Sequence, residues 1–406
     1  MCLGLTQKAE RNGRYDPAKT AMRASDPLQN HCDHCGAIAT IAFCLLETID
    51  TLELCISPSN ARLLNEMAIE RYLKRITEGR ETLSRTDARE LLTSLLRGEA
   101  TDVEIAALLG ALSVRGETAA ELAGFVEAMR AASVDVPLTE DERETLVDTC
   151  GTGGDASGTF NISTAVALVA AAAGVRVAKH GNRNVTSKSG SADVLEALGI
   201  PVGLSADACA EELREKGFAF LLATVMHPAM RIVAPVRKAL GFRTVFNVLG
   251  PMTNPAGARA QVMGVYAAHL VPVVAETLAI LGVRHAMVVH GGGLDEISLS
   301  GESEIAEVRG HTVALRRIVP EDAGLERAPI EALQGGDAVE NAAILRRIFD
   351  GERGPCRDIV LLNAAAVLIV SGLVNDLRQG VELAAKTIDS GAVRVLVERL
   401  QPERSE

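Results

Sequence analysis

Four stretches of the chain gather residue types that can hold an anion, a hard metal ion or a carboxylate. The first runs Asp148-Thr-Cys-Gly-Thr-Gly-Gly-Asp155 and resumes as Thr159-Phe-Asn-Ile-Ser-Thr164. Glycines let a backbone approach an anion closely, and the start of the helix that follows adds N–H groups and a favourable dipole. Asn161, Ser163 and Thr164 add side-chain donors for phosphate oxygens. The spacing is neither a P-loop nor G-x-G-x-x-G, so an ATP or NAD site is not indicated. The second stretch, Lys179-His-Gly-Asn-Arg-Asn-Val-Thr-Ser-Lys-Ser-Gly-Ser191, packs three cations, several hydroxyls and two glycines behind an apolar run. A lone Lys or Ser there would be a solvated loop; this density of donors at a strand end marks an oxyanion site. The third, His290-Gly-Gly-Gly-Leu-Asp-Glu-Ile-Ser298, sets Asp295 and Glu296 side by side after a glycine turn, a hard oxygen pair suited to Mg²⁺. The fourth, from His227 to Pro255, carries Arg231, Arg237 and Arg243, and arginine is the side chain best built to grip a carboxylate with two hydrogen bonds.

These loops need strands and helices behind them. Strands are expected at Leu146–Thr149, Val175–Lys179, Ala219–Ala223, Gln261–Tyr266 and His285–His290, with helices between them, notably Ser163–Ala173 and Pro272–Leu281. Strands separated by helices imply right-handed crossovers and a mostly parallel sheet whose ligands sit beyond the carboxyl ends. Residues 67–135 read as helical. Ser84 with Asp87, Thr101 with Glu104 and Thr118 with Glu121 have capping-box spacing, each ahead of an apolar helical pattern. Arg97-Gly98 and Arg115-Gly116 supply basic ends and glycine stops. The expected fold is therefore α/β, with a helical domain at 67–137 and a larger α/β domain at 138–406. Residues 1–66 are mixed in character and cysteine-rich. They are expected to be an extension outside the folded enzyme, disordered or the product of a mis-assigned start.

The formal net charge is −12, tryptophan is absent and aromatic residues make up 3%. Such a surface repels a phosphate backbone and offers few stacking platforms, so nucleic acid is not an expected partner. Ala39 to Ile56, the stretch nearest to a membrane span, is broken by Glu47, Asp50 and Glu53, and no signal peptide is evident. The expected location is the cytoplasm, with the eight cysteines reduced. His31-Cys32-Asp33-His34-Cys35 with Cys44 or Cys55 has zinc-ligand residue types, but not the spacing of a standard finger.

Taken together and in order, the four stretches closely resemble the anthranilate phosphoribosyltransferases of tryptophan biosynthesis, from about Met67 to the C-terminus. The resemblance implies a small helical domain and a larger α/β domain with the active site at the hinge between them, and a homodimer formed through the helical domains. It implies phosphoribosyl pyrophosphate (PRPP) and anthranilate as substrates and Mg²⁺ as cofactor, two ions per site. By that resemblance, Gly151, Gly154, Asp155, Thr159, Asn161, Ser163 and Thr164 would contact PRPP, as would Lys179, His180, Gly181, Asn182, Arg183, Ser187 and Ser191. Asp295 and Glu296, with Ser163, would hold the metal. Gly151, His180, Asn182, His227 and Arg237 would contact anthranilate, with Lys179, Arg237 and Asn182 carrying most of the catalytic effect. Thr186 stands where serine is common and Met252 where leucine is common; both keep the chemistry. A pyrimidine nucleoside phosphorylase of the same general fold has less need of the Asp295-Glu296 pair. A non-catalytic nucleic-acid-binding relative would need a broad basic face that this chain does not offer.

Overall fold

The structure, a computed structural model, describes residues 69–154, 157–183 and 189–402. The expectations placed on residues 1–66, including the His/Cys cluster, and on Asp155, Thr186 and Ser187 lie outside the described residues.

Helices occupy 69–77, Arg85–Leu96, Asp102–Arg115 and Ala119–Ala131. The expected caps are formed. Ser84 accepts from the Asp87 amide, and Thr101 with Glu104 and Thr118 with Glu121 close complete capping boxes. Gly98 and Gly116 adopt left-handed φ values of 77° and 81°, which end the preceding helices at little cost to glycine.

A seven-stranded sheet follows: β1 (Leu146–Gly151), β2 (Arg176–Gly181), β3 (Phe218–Leu222), β4 (Ala260–Gly264), β5 (His285–His290), β6 (Ser303–Arg309) and β7 (Thr312–Ile318). Its order is β3-β2-β1-β4-β5-β6-β7; β1 to β5 pair in parallel, and β6 and β7 add an antiparallel hairpin. The five expected strands are the five parallel ones, with ends within two residues of those read from the sequence. The hairpin was not expected.

Both faces of the parallel part of the sheet are covered, so β1 to β5 are largely apolar on both sides, whereas β7 is exposed. Along β5, Met287 and Val289 join a core built on the helices Ile162–Ala172 and Pro355–Ser371, while Ala286 and Val288 join another. That second core includes Leu91, Leu109 and Phe125 of the N-terminal helices. The helices Ala234–Leu240 and Val245–Met252 also contribute to it, through Val236 and Leu249. The helical layer and the sheet thus share buried apolar contacts, and the segment carrying the fourth motif is packed on the helical side.

Candidate active site

The chain order reverses between β1 and β4, which are neighbours in the sheet although β1 leads to β2 on one side and β4 to β5 on the other. A crevice opens beyond the carboxyl ends of strands at such a reversal. Gly151 and Gly264 face each other in register there. Neither accommodates a side chain. A Cβ on Gly264 would fall 1.5 Å from the Asp295 carbonyl oxygen, and one on Gly151 would fall 2.4 Å from Asp295 Oδ2. The two glycines form a slot that receives Asp295, whose Oδ2 accepts a hydrogen bond from the Gly153 amide at 2.8 Å. The Asp295-Glu296 loop is anchored from below. Asn363, buried in the helix Pro355–Ser371, accepts from the Ile297 amide and donates to its carbonyl, at 2.8 and 2.9 Å.

The glycine turn after β1 places Gly153 and Gly154 at φ 64° and 72°, a region that favours glycine. It leads into the helix Ile162–Ala172, whose N-cap residue Asn161 makes no side-chain cap bond. Instead Asn161 donates to the Ser189 carbonyl of the second motif and accepts from Asn341. The start of this helix is left without a side-chain cap, which suits an anion. Ser163 stands in its first turn with Thr164 buried behind it, and Thr159 bridges to Gln334.

Lys179, at the carboxyl end of β2, is 1% exposed, and its Nζ donates to the Thr149 carbonyl at 2.5 Å and to Ser163 Oγ at 3.2 Å. Burial lowers its pKa, while Asp148, Glu296 and Asp295 favour its charged form. Asp148, fully buried in β1, accepts from the His180 amide at 3.1 Å and from Asn254 Nδ2 at 2.8 Å, and burial pushes its carboxyl up to about 6. Asn254 donates also to the Ala178 carbonyl and so fastens β1 and β2 together under the site. His180 and His227 lie with ring centroids 5.0 Å apart. Nδ1 of His180 meets the Gly250 carbonyl at 3.1 Å, while its Nε2 and both ring nitrogens of His227 are buried and make no hydrogen bond among the described residues. Burial holds the two rings down at about 3 and about 4, with the Thr253 backbone compensating His227 only in part. Both rings are neutral near pH 7.

Gly181 lets the chain pass Phe220, whose Cε2 would lie 2.8 Å from a Cβ there. Asn182 turns its Oδ1 back onto the Arg183 amide, and the Arg183 guanidinium is held in a two-bond pair by Glu196, both at 2.6 Å. Arg183 would have to exchange that partner to reach a phosphate. Ser191 opens the helix Ser191–Ala197 beside Gly181.

Of the three arginines in the fourth motif, Arg237 is half-buried, with its guanidinium 5.2 Å from the Phe246 ring centroid and no hydrogen bond or ion pair among the described residues. Arg231 is exposed. Arg243 reaches the glycine turn, donating from Nη2 to the Gly154 carbonyl. The sequence offered Arg243 only as one of three arginines able to grip a carboxylate, and gave no role to Asp148, Asn254 or Gly264. Asp148 carried a signal, as a charged residue in an apolar strand; Asn254, Gly264 and Arg243 take their roles from strand register and chain path.

The donors near the carboxyl ends are hard oxygens, and among the described residues no three His, Cys, Asp or Glu side chains form an all-protein metal cage. Adjacent carboxylates of this kind fit a cation that keeps waters and is completed by a phosphate, which is the habit of Mg²⁺.

Known proteins resemble this chain over most of its length. Residues 143–394 match the glycosyl transferase family α/β domain, and residues 70–133 match the helical bundle domain of the same family. The anthranilate phosphoribosyltransferase of Symbiobacterium thermophilum is 50% identical over 330 residues, covering 81% of this chain and 96% of its own. The chain belongs to the anthranilate phosphoribosyltransferase family. Its fold agrees with the crystal structure of the Thermus thermophilus enzyme of this family, with a TM-score of 0.75 and 47% identity over 81% of this chain and 97% of the other. The Saccharomyces cerevisiae enzyme, solved in complex with PRPP and Mg, matches with a TM-score of 0.73 and 29% identity, covering 82% and 97%. The same yeast enzyme in complex with 4-fluoroanthranilate gives 0.73 and 27%, with the same coverage. The family's reaction is transfer of the phosphoribosyl group of PRPP to the amine of anthranilate, an early step of tryptophan biosynthesis.

Proposed function

We propose that the crevice between β1 and β4 is where this chain joins anthranilate to PRPP, giving N-(5-phosphoribosyl)anthranilate and pyrophosphate. The observation that carries this reading is the gathering of three parts beyond the end of β1: Asp295 in the slot between Gly151 and Gly264, the glycine turn bound to it through the Gly153 amide, and buried Lys179 bonded to the Thr149 carbonyl and Ser163 Oγ. Gly151, Gly154, Asp155, Thr159, Asn161, Ser163 and Thr164 take the PRPP side. Lys179, His180, Gly181, Asn182, Arg183, Ser187 and Ser191 complete it. Asp295 and Glu296, with Ser163, are the residues that would hold magnesium, two ions per site, which supplies charge neutralisation to the leaving pyrophosphate.

The aromatic amine of anthranilate is uncharged near neutral pH and attacks without prior deprotonation. Catalysis then rests on positioning the amine at C1 of the ribose and on stabilising negative charge as the C1–O bond breaks through an oxocarbenium-like transition state. Lys179 and the backbone amides of the glycine turn act on that charge from fixed positions. Arg237 is free to grip the anthranilate carboxylate, and Asn182 aligns the amine; orientation of this kind is worth roughly 7–11 kcal/mol in well-held systems. His180 and His227 line the anthranilate side as neutral rings. A ring that resists protonation down to about 3 is a poor proton acceptor, so His180 serves in contact rather than as a base.

The protein is proposed to act in the cytoplasm as a homodimer formed through the helical layer, where Val103 and Val114 are 78% and 91% exposed on the helix Asp102–Arg115. Among the described residues no helix is long and apolar enough to cross a membrane.

The test is anthranilate fluorescence followed with purified protein, PRPP and Mg²⁺. Loss of signal that requires PRPP and is abolished by EDTA is expected; no loss from folded protein would reject the reading. Arg237→Ala should raise KM for anthranilate roughly tenfold or more, the scale of one lost charge-assisted contact, with little change in KM for PRPP. Equal effects on both would remove Arg237 from the carboxylate.

A further inference from the structure

Arg243 joins two parts of the fold that the reaction must keep in register. Its main chain belongs to the segment packed on the helical layer, where Ser113 Oγ of the helix Asp102–Arg115 donates to the Arg243 carbonyl at 3.2 Å. Its side chain leaves that layer for the glycine turn. Nη2 donates to the Gly154 carbonyl, and a Cβ built on Gly154 would lie 3.4 Å from Arg243 Nε. The guanidinium rests over the Tyr266 ring, 4.2 Å from its centroid, within cation–π range. Tyr266 is itself tied to the turn, because its amide donates to Thr152 Oγ1 at 2.9 Å. The turn is thus held at three successive residues: Thr152 by the Tyr266 amide, Gly153 by Asp295 and Gly154 by Arg243.

A glycine turn binds an anion through amides that must point into the site, yet the left-handed residues that allow this shape are also free to leave it. Holding the Gly154 carbonyl outward fixes the rotation of the peptide plane that follows it. We propose that Arg243 is a positioning residue for the PRPP side of the site, a strap from the helical layer that holds the glycine turn with Tyr266 as its platform. This rests on the reading of the turn as the PRPP loop. It gives Arg243 a role different from Arg237, although both lie in one basic motif.

The test is steady-state kinetics of the full chain with each substrate varied in turn. Arg243→Ala should raise KM for PRPP roughly tenfold, the scale of one charge-assisted hydrogen bond, with kcat and KM for anthranilate within about threefold. Tyr266→Phe keeps the ring face and should match the parent, whereas Tyr266→Ala should raise KM for PRPP. The double variant should be no worse than the worse single one, because both substitutions remove one shared contact. An unchanged KM for PRPP in Arg243→Ala, additive effects in the double variant, or a rise confined to anthranilate would overturn the strap. Lys179→Ala measured alongside separates the two levels. If it too leaves KM for PRPP unchanged, the assignment of the anion loops fails; if only Arg243→Ala does, the strap alone fails. Arg243 is exposed, so its replacement opens no cavity in the core.

Discussion

His180 and His227 lie against each other in the site, buried, and the backbone carbonyl that His180 Nδ1 meets offsets the cost of charging its ring only in part. Their folded-state values, about 3 and about 4, lie below the ordinary 6.5 of an unfolded chain. The unfolded state therefore binds more protons between pH 6.5 and about 4, and folding stability falls as pH falls through that window. Each ring contributes up to about 1.4 kcal/mol per pH unit there. Asp148, pushed up to about 6 from 3.8, works in the opposite direction over much of the same range, since its protonated form is favoured by the fold. A wild-type curve alone sums these contributions. Denaturation free energies between pH 7 and pH 4 should fall less steeply for His227→Asn than for the parent, by about 1.4 kcal/mol per unit. Coincident slopes would mean that the His227 ring charges freely in the native protein.

At the scale of elements, helix starts with the same local grammar carry different weights. Glu104 and Glu121 each close a capping box, but among the described residues Glu104 serves only the helix start at Thr101. Glu121 is completely buried, accepts from the Thr118 amide and hydroxyl, and also holds the Leu83 amide at 2.8 Å and Arg115 at 2.6 Å. Glu104→Ala should cost about 1 kcal/mol, the usual value of a helix cap. Glu121→Ala leaves the partially buried Arg115 and a buried amide without their acceptor and should cost about 3–5 kcal/mol. Urea unfolding of the two variants compares them directly, and equal losses would show the Leu83 and Arg115 contacts to be idle. The boxes themselves were legible in sequence because a cap is chemistry between residues three apart. β1 to β5 were legible for a related reason: strands buried on both faces read as short apolar runs. The hairpin of β6 and β7 was not. Glu304, Glu307, Arg309, Arg316 and Arg317 interrupt its apolar pattern, and Glu307 is buried only because His285, Arg309 and Arg316 meet it in the folded sheet. The site divides in the same way. Its loops stood out as polar and glycine-rich sequence at strand ends. The slot for Asp295 depends on Gly151 meeting Gly264 across the sheet, and the strap depends on where the chain carries Arg243.

Across the whole molecule, the helical layer and one face of the sheet are buried together, from Ile69 at the first described helix to Val308 in β6. This continuity sets how short the chain can be made. Ile69, Tyr72 and Ile76 are 1%, 2% and 3% exposed, and Tyr72 also donates to Glu90 Oε2 at 2.9 Å. Fully burying such side chains stabilises by roughly 1.5–3 kcal/mol each, so the 69–77 helix is worth several kcal/mol in a fold whose net stability is typically about 5–15. The family match to the helical bundle begins at residue 70, inside this helix. We therefore expect a chain started at Met67 to retain both kcat and KM values and a thermal midpoint within a few degrees of the full protein. A chain started at Glu81 loses the helix and with it Ile69, Tyr72 and Ile76 of the shared core, and should melt well below the full protein or fail to fold. Because that core reaches β4 and β5, the second truncation should also lower activity at temperatures below its melting point. Loss of activity in the Met67 chain would instead show that residues before 67 take part in the working enzyme. A Glu81 chain as stable and active as the parent would remove the first helix from the cooperative unit.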